Sequence, residues 1–232
     1  MKRKRPTNMA TPREMPKTHQ GQVCSILRAA FRVDFSAYRE TTVRRRILRR
    51  MVLQTKNFKL HRSLRKTLQH FIANPACEIR MDSDFSAVIH QCAETSRKGQ
   101  AGTWIVKEMI DAYKALHQAG YAHSIETWVN QELVGGLYCV SIGDAVFGES
   151  MFSHQTDASK IALAALVAFA RAQGLTWIDC QQNTKHLASL GAREMTRAEF
   201  LDRVRIASAK PNRVWTFEHS VWEELLLQRI VL

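Results

Sequence analysis

The 232-residue sequence predicts an α+β fold, in which helices flank a mixed β-sheet. Two observations predict it. Three short runs between residues 123 and 148 have strand character and are joined by the tight turns Asn130-Gln131 and Gly143-Asp144. A strand–helix–strand unit follows at residues 145–180, and a meander beside such a unit implies a sheet with both parallel and antiparallel strands.

The first half of the chain has mainly helical spacing. Residues 1–20 hold three of the five prolines, so we expect a disordered basic arm. Residues 22–54 have a helical pattern in which Val43, Ile47 and Met51 would share the buried face. A further helix is expected at 60–72, and residues 77–81 read as a strand.

Two more helices are expected before the meander. Ser83 is the predicted cap of the first, and the second covers 105–118 and ends before Gly120. Their predicted inward residues are Phe85, Val88, Ile89 and Cys92 in the first helix, and Val106, Met109, Ile110, Tyr113 and Leu116 in the second.

The second half of the sequence predicts most strands of the sheet and helices that pack against it. Strands are expected at 123–129, 133–141, 145–148 and 175–180, with an almost wholly apolar, buried helix at 158–173. The run Thr196-Arg197-Ala198-Glu199 has the form of a capping box and begins a helix that extends to about residue 208.

Positive charge is concentrated at the start of the chain. The net charge is +13, and residues 1–66 carry 19 Lys and Arg against 3 Asp and Glu, whereas the remainder carries 15 against 18. Such asymmetry suggests a polyanionic partner, with RNA or DNA the usual one. A solubilising basic arm is the alternative, and charge alone does not decide between them.

Composition also indicates the cellular compartment of the protein. No run approaches the ~18 to 20 apolar residues of a membrane helix, and no apolar stretch follows the basic N-terminus as in a secretory signal. The five cysteines are odd in number and form no CxxC pair. Reduced thiols in the cytoplasm are therefore expected, with neither a disulfide framework nor a metal site.

Two acidic residues stand in apolar strand contexts. Glu149 follows Val146-Phe147-Gly148, and Asp179 follows Trp177-Ile178. Acids in such places are paired or functional. In an extended strand Asp179 and Gln181 would share a face, where the carboxylate could fix the orientation of the amide, while Cys180 would face the core as an inert thiol.

Other candidate residues have two interpretations each. Trp104 could be a core residue or a stacking platform for a nucleobase. His123 and His186 could act as bases, although structural histidines are the more common case. Gly135-Gly136 would mark a sheet kink or a substrate passing close to the backbone.

Residues 57–203 closely resemble the leucyl/phenylalanyl-tRNA–protein transferase family. Contiguous runs in family order carry the resemblance. They are Gly102-Thr103-Trp104-Ile105, His123-Ser124-Ile125-Glu126, Leu133-Val134-Gly135-Gly136-Leu137-Tyr138, Gly148-Glu149-Ser150-Met151-Phe152-Ser153, Asp157-Ala158-Ser159-Lys160, Ile178-Asp179-Cys180-Gln181, His186-Leu187-Ala188-Ser189-Leu190-Gly191-Ala192 and Glu194.

The resemblance implies a fold and a reaction. It implies a core similar to the GNAT acetyltransferases over residues 57–232. Family members take Leu, Phe or Met from aminoacyl-tRNA and join it to an N-terminal Arg or Lys of an acceptor protein, which marks that protein for degradation. They use no metal or other cofactor, and no membrane partner is implied.

The resemblance also implies roles for particular residues. Gln181 would aid the attack of the amine, Asp179 would supply negative charge, and Glu149 would line the aminoacyl-adenosine pocket. Trp104 would pack on the terminal adenosine. The apolar pocket would comprise Leu137, Val146, Met151, Leu166 and Ile178, and the basic helix that grips the acceptor stem would carry Arg62, Arg65 and Lys66.

The chain departs from the family before Asn57. The phenylalanine- and proline-rich stretch expected there is absent, and residues 21–56 instead resemble the small helical N-terminal domain of chemotaxis receptor methyltransferases. One alternative function is therefore a tRNA-binding relative with weakened catalysis. A second, an acetyl-CoA-dependent acyltransferase, is disfavoured because residues 152–157 contain no glycine for a phosphate-binding loop.

Overall fold

The computed structural model describes residues 49–95 and 105–226. The strands are β1 (Arg49–Gln54), β2 (Cys77–Met81), β3 (Ala122–Val129), β4 (Glu132–Ile142), β5 (Ala145–Ser153), β6 (Trp177–Gln181) and β7 (Arg193–Thr196). The helices are α1 (Arg62–Ala73), α2 (Phe85–Glu94), α3 (Lys107–Gln118), α4 (Ala158–Ala172), α5 (Lys185–Ser189), α6 (Arg197–Ala207) and α7 (Val221–Leu226).

In the described ranges the strands form one sheet in the order β2-β3-β4-β5-β6-β1-β7. Neighbouring strands are antiparallel except β5 and β6, which are parallel and are connected through α4. The predicted mixed sheet flanked by helices is confirmed. The more specific expectation of a GNAT-like core stays a prediction.

Both faces of the sheet are covered. Leu137 and Cys139 of β4 belong to the core that packs against α1, α4 and α7, whereas Tyr138 and Val140 belong to the core under α2 and α3. Alternation along one strand therefore supplies two separate cores. A third cluster, which includes Val52, lies beneath α6.

Residues 49–54 are a strand, so the helix predicted there is wrong. Met51, Val52 and Leu53 are all buried because β1 lies between β6 and β7 and packs on both faces. A short apolar run of this kind has no visible period, and its pairing with distant strands determines its structure. The sheet thus begins before Asn57, and the remainder of the predicted 22–54 helix lies outside the described residues, as do the basic arm 1–20 and Trp104.

The other elements correspond closely to the prediction, with local corrections. Asp84, and not Ser83, caps α2, because its side chain accepts from the backbone N–H of Ala87. Val106 is exposed instead of inward, since it immediately precedes α3. The capping box of Thr196 with Glu199 is confirmed. The short elements α5, β7 and α7 were not predicted.

Gly135 marks a close approach of two backbones. A Cβ on Gly135 would lie 2.5 Å from Cβ of Ala158, at the first turn of α4. The glycine is therefore required by packing of the helix on β4. No helix in the described part of the chain has the length and apolar content needed to cross a bilayer.

Candidate active site

The candidate site lies where β5 and β6 separate. The two strands pair only at Val146 with Ile178 and at Phe147 with Asp179, although β5 continues to Ser153. Beyond these pairs the hydrogen-bonded ladder between the two strands ends, which leaves backbone groups such as the Gly148 carbonyl available to side chains. The three predicted polar residues, Glu149, Asp179 and Gln181, all lie at this divergence.

Glu149 is directed into the site by a β-bulge. On β4, Tyr138 is opposite Ser150 and Cys139 is opposite Gly148, so Glu149 is the extra residue on β5. A bulge changes the direction of a side chain within a strand. Glu149 is half-buried, and its carboxylate accepts hydrogen bonds from the Gln181 amide and from the Tyr113 side chain of α3.

Gln181 is turned towards Glu149 by an irregularity in β6. Met51 pairs with Gln181 and Val52 with Asp179, so Cys180 is an extra residue on β6. Gln181 itself has a left-handed backbone, with φ of 61°. The strand alternation assumed in the sequence prediction is thus interrupted between Asp179 and Gln181.

Two acceptors fix the orientation of the Gln181 amide. Its Nε2 donates to the backbone carbonyl of Gly148 over 3.0 Å and to Oε2 of Glu149 over 2.8 Å. A nitrogen must face two acceptors, so the amide assignment follows from the network. Its carbonyl oxygen has no hydrogen-bond partner among the described residues and is left to accept from a ligand.

Asp179 acts on the Gln181 backbone and not on its side chain. Oδ1 of Asp179 accepts from the Gln181 backbone N–H over 2.9 Å. The fully buried carboxylate is also held by the fork of the Arg50 guanidinium, with Nε 3.3 Å from Oδ1 and Nη2 bonded to Oδ2. The amide is therefore oriented by Glu149, and not by Asp179 as the sequence led us to expect.

Burial raises the pKa values of two groups at the site, Glu149 and Cys180. Desolvation raises the pKa of Glu149, and the nearby negative charge of Asp179 acts in the same direction. Hydrogen bonds from Gln181 and Tyr113, and the charge of Arg50, oppose the rise in its pKa without cancelling it. Burial raises the pKa of the Cys180 thiol to about 12, in keeping with the inert role predicted for it.

The predicted apolar pocket residues come together, but they are closely packed. Leu137, Val146, Leu166 and Ile178 are between 0 and 3% exposed and belong to one core cluster. Met151 is half-buried against the same cluster and pairs directly with Leu137. Four of the five side chains thus fill the space themselves, and Met151 is the member nearest to solvent.

The predicted basic helix is present as α1. Arg62 and Lys66 are exposed on it, four residues apart and therefore on one face. Arg65 is half-buried, and its Nη1 donates to the carbonyl of Leu226. Arg62 and Lys66 are consequently the two exposed charges of the predicted trio, whereas Arg65 attaches α1 to α7.

The two histidines differ in their surroundings. His123 is buried, lies 2.7 Å from Asp82 through Nδ1, and stacks on Trp215 with ring centres 4.2 Å apart. This supports its interpretation as a structural histidine. His186 is half-buried on α5, and burial is the main cause that lowers its pKa.

Sequence reasoning missed two residues of the site, Arg50 and Tyr113. Tyr113 was predicted only as a core residue, and nothing in its helical spacing indicates that it bonds to Glu149. Arg50 fell within the helix that was predicted at residues 22–54. The available signal was its position beside the apolar run Met51-Val52-Leu53, since an arginine drawn into a buried strand is almost always paired.

Comparisons with known proteins agree on one family. The family model for leucyl/phenylalanyl-tRNA protein transferase matches residues 52–205. A leucyl/phenylalanyl-tRNA–protein transferase of Polaromonas sp. strain JS666 is 61% identical over 177 residues, which cover 76% of this chain and 69% of that protein. The transferase of Methylibium petroleiphilum is 57% identical over 179 residues, covering 77% of this chain and 68% of that protein.

Similarity to a solved structure is much weaker. A functionally unknown conserved protein from Staphylococcus epidermidis matches with a TM-score of 0.38 and 11% identity, over 69% of this chain and 66% of the other. A likeness of this size carries no argument about fold or function.

Proposed function

Because the chain belongs to the leucyl/phenylalanyl-tRNA–protein transferase family, we propose that it transfers leucine, phenylalanine or methionine from a charged tRNA to the N-terminal arginine or lysine of an acceptor protein. The new N-terminal residue would mark the acceptor for degradation. Charged tRNA is a cytoplasmic substrate, so we propose that the reaction takes place in the cytoplasm.

The chemistry needs positioning more than activation. The α-amine of the acceptor attacks the carbonyl of the aminoacyl ester, a peptide bond forms, and the bond to the ribose oxygen breaks. Overall, the proton that the amine loses is gained by the ribose oxygen. An ester is already an activated acyl group, so holding two substrates in line can supply much of the rate.

The observation that carries the proposal is the fixed amide of Gln181. Its Nε2 is held by Glu149 and Gly148, which turns its carbonyl oxygen away from them. An amide oxygen is too weakly basic to remove the proton, but it can accept a hydrogen bond from the amine and direct the nitrogen lone pair. Gln181 therefore orients the nucleophile in this mechanism, and Glu149 orients Gln181.

We propose that the aminoacyl side chain enters beside Met151. Met151 lies two residues beyond Glu149 on β5 and is the half-buried member of the apolar group. Methionine is flexible and can yield to a ligand. Its displacement would allow the apolar side chain of the transferred amino acid to pack against Leu137, Val146, Leu166 and Ile178. A transferred amino acid with a side chain branched at Cβ would be disfavoured.

Binding of the tRNA would use charge supplied by the N-terminal part of the chain. Arg62 and Lys66 are exposed on one face of α1 and suit contact with phosphates. We propose that they contact the acceptor stem and that Trp104 stacks on the terminal adenosine. These contacts recognise the backbone and the end of the tRNA, as needed for several tRNAs with different amino acids.

A transfer assay tests the proposed function. Purified protein is mixed with tRNA charged with labelled Leu, Phe or Met, and with a peptide that begins with Arg. Labelled peptide is expected from these three, and little from tRNA charged with Val or Ile, whose side chains branch at Cβ. A peptide of the same sequence that begins with Asp is the matched control. Binding of charged tRNA without any product in a single turnover would contradict the proposal and indicate a tRNA-binding relative.

A further inference from the structure

Arg50 is enclosed at the base of the candidate site. Its side chain is 18% exposed, and its guanidinium lies between the Asp179 carboxylate and the ring of Phe200, 5.2 Å from the ring centre. Two nitrogens of the guanidinium contact the two carboxylate oxygens. This forked geometry fixes both the position and the rotation of the carboxylate.

The held carboxylate determines the backbone of Gln181. Asp179 is 0% exposed, and its Oδ1 accepts from the Gln181 N–H over 2.9 Å. Gln181 has a φ of 61°, a left-handed conformation that a residue with a side chain adopts only at an energetic cost. The hydrogen bond from its N–H to Asp179 offsets part of that cost and holds the turn that brings the amide to Glu149.

Resting on the function proposed above, we propose that Arg50 is a positioning residue for aminoacyl transfer, acting through Asp179 on the backbone turn that aims the Gln181 amide. Arg50 itself does not touch the reacting atoms in this scheme. Asp179, in turn, serves as the link between Arg50 and Gln181 and not as the proton acceptor.

The neighbouring arginine provides a matched control. Arg49 is on the same strand but is 64% exposed, and it forms a 3.3 Å ion pair with Glu194, itself 37% exposed. Exposed pairs of this kind contribute little to stability. Substitution of either arginine by lysine keeps the positive charge. A difference in transfer between Arg49→Lys and Arg50→Lys is therefore not caused by a change in the overall attraction to tRNA.

The experiment compares the steady-state kinetics of leucine transfer by the wild type, Arg49→Lys, Arg50→Lys and Arg50→Gln. Lysine keeps the charge but loses the fork, and glutamine loses both. Because misplacement of a reacting group by ~1 Å can cost about 100-fold, we expect kcat to fall roughly 10-fold for Arg50→Lys and about 100-fold for Arg50→Gln. The KM for charged tRNA should be unchanged in both, and Arg49→Lys should match the wild type.

A double substitution provides a readout that a merely structural role would not produce. If Arg50 acts only through Gln181, adding Arg50→Gln to Gln181→Ala should slow transfer no further. Thermal unfolding checks that each variant is folded. If Arg50→Gln does not fold, the comparison of Arg50→Lys with Arg49→Lys decides the question, with Arg50→Lys also used in the double substitution.

Three outcomes would overturn the assignment of Arg50. They are equal kcat for Arg50→Lys and Arg49→Lys, a loss confined to the KM for tRNA, and full additivity with Gln181→Ala. None of them affects the proposed function, which fails only if the wild type itself transfers no amino acid.

Discussion

The side-chain amide of Gln181 donates to Oε2 of Glu149 over 2.8 Å, across the point where β5 and β6 separate. A carboxylate is an acceptor-only partner when ionised, so it selects one orientation of the amide. That selection depends on a group whose own ionisation is unfavourable, because desolvation raises the pKa of Glu149. The site therefore combines a defined geometry with a cost in stability.

Glu149→Gln should reduce the stability cost of the desolvated Glu149 carboxylate, and it should weaken transfer. Since the pKa of Glu149 is raised on folding, the folded protein retains a proton over a range in which the unfolded chain has lost it. The carboxyl thus favours folding most at low pH, and this contribution is lost as pH rises through the raised pKa. The variant should therefore gain stability relative to the wild type as pH rises. Thermal unfolding of both proteins from about pH 4 to about pH 8 measures the difference, and parallel profiles would contradict the account.

Glu126→Ala should destabilise the fold without a role in the chemistry. The Glu126 carboxylate is 0% exposed and accepts from Ser83 Oγ, the Asp84 backbone N–H, Ser124 Oγ and Trp128 Nε1, at 2.5 to 3.0 Å. Removing the acceptor leaves the fully buried Ser124 hydroxyl and the half-buried Trp128 N–H without this partner, whereas Ser83 and Asp84 are exposed to water. We therefore expect a loss of about 1 to 3 kcal/mol in chemical denaturation.

The control for this substitution is Glu132→Ala, at the exposed start of β4. It should leave the free energy of unfolding almost unchanged. Equal effects of the two substitutions would show that the buried hydrogen bonds of Glu126 contribute nothing specific.

Reversal of Arg62 and Lys66 to Glu should weaken tRNA binding. Both side chains are exposed on α1, whereas Arg65 bonds to Leu226 and is left intact. If each contacts one phosphate, the slope of log K against log salt concentration should fall by about 2. Filter binding at several salt concentrations measures the slope. The matched control reverses Arg203 and Lys210, which are exposed at and after α6, and a slope lowered equally there would indicate a general charge effect.

Gly135→Ala should lower stability because α4 packs directly on β4. The added Cβ would lie 2.5 Å from Cβ of Ala158 and 3.0 Å from its backbone carbon. Such overpacking costs about 1 to 3 kcal/mol of unfolding free energy. Adding Ala158→Gly removes the closer contact and should recover part of the loss in chemical denaturation. If it recovers nothing, the contact between these two residues is not the cause.

Much of the fold was predictable because local patterns agree with the tertiary structure. The spacing of Met109, Ile110, Tyr113 and Leu116 correctly identified the buried face of α3. The strand β1 was misread because Met51, Val52 and Leu53 are buried on both faces, so no period distinguishes the strand. Its partners in β6 and β7 are distant in sequence, and pairing with them prevails over local propensity.

The sequence singled out three residues that the structure brings together, but it did not show how they are connected. Glu149, Asp179 and Gln181 were recognised from their residue types and their contexts, but their connections depend on two bulges and on one left-handed residue. Bulges arise from register between strands, which a single sequence does not display. Arg50 and Asp179 are 129 residues apart, so their pairing appears only in the folded chain.

Single-turnover transfer of leucine by Gln181→Ala tests the central claim most directly. With charged tRNA and an Arg-starting peptide in excess over KM, the wild type should form labelled peptide, and the variant should do so roughly 100-fold more slowly, because the amine is no longer oriented. Gln155→Ala, an exposed amide before α4, should match the wild type. Transfer by Gln181→Ala at the wild-type rate would contradict the account. It would show that the reaction does not depend on the site at the end of the β5–β6 pairing.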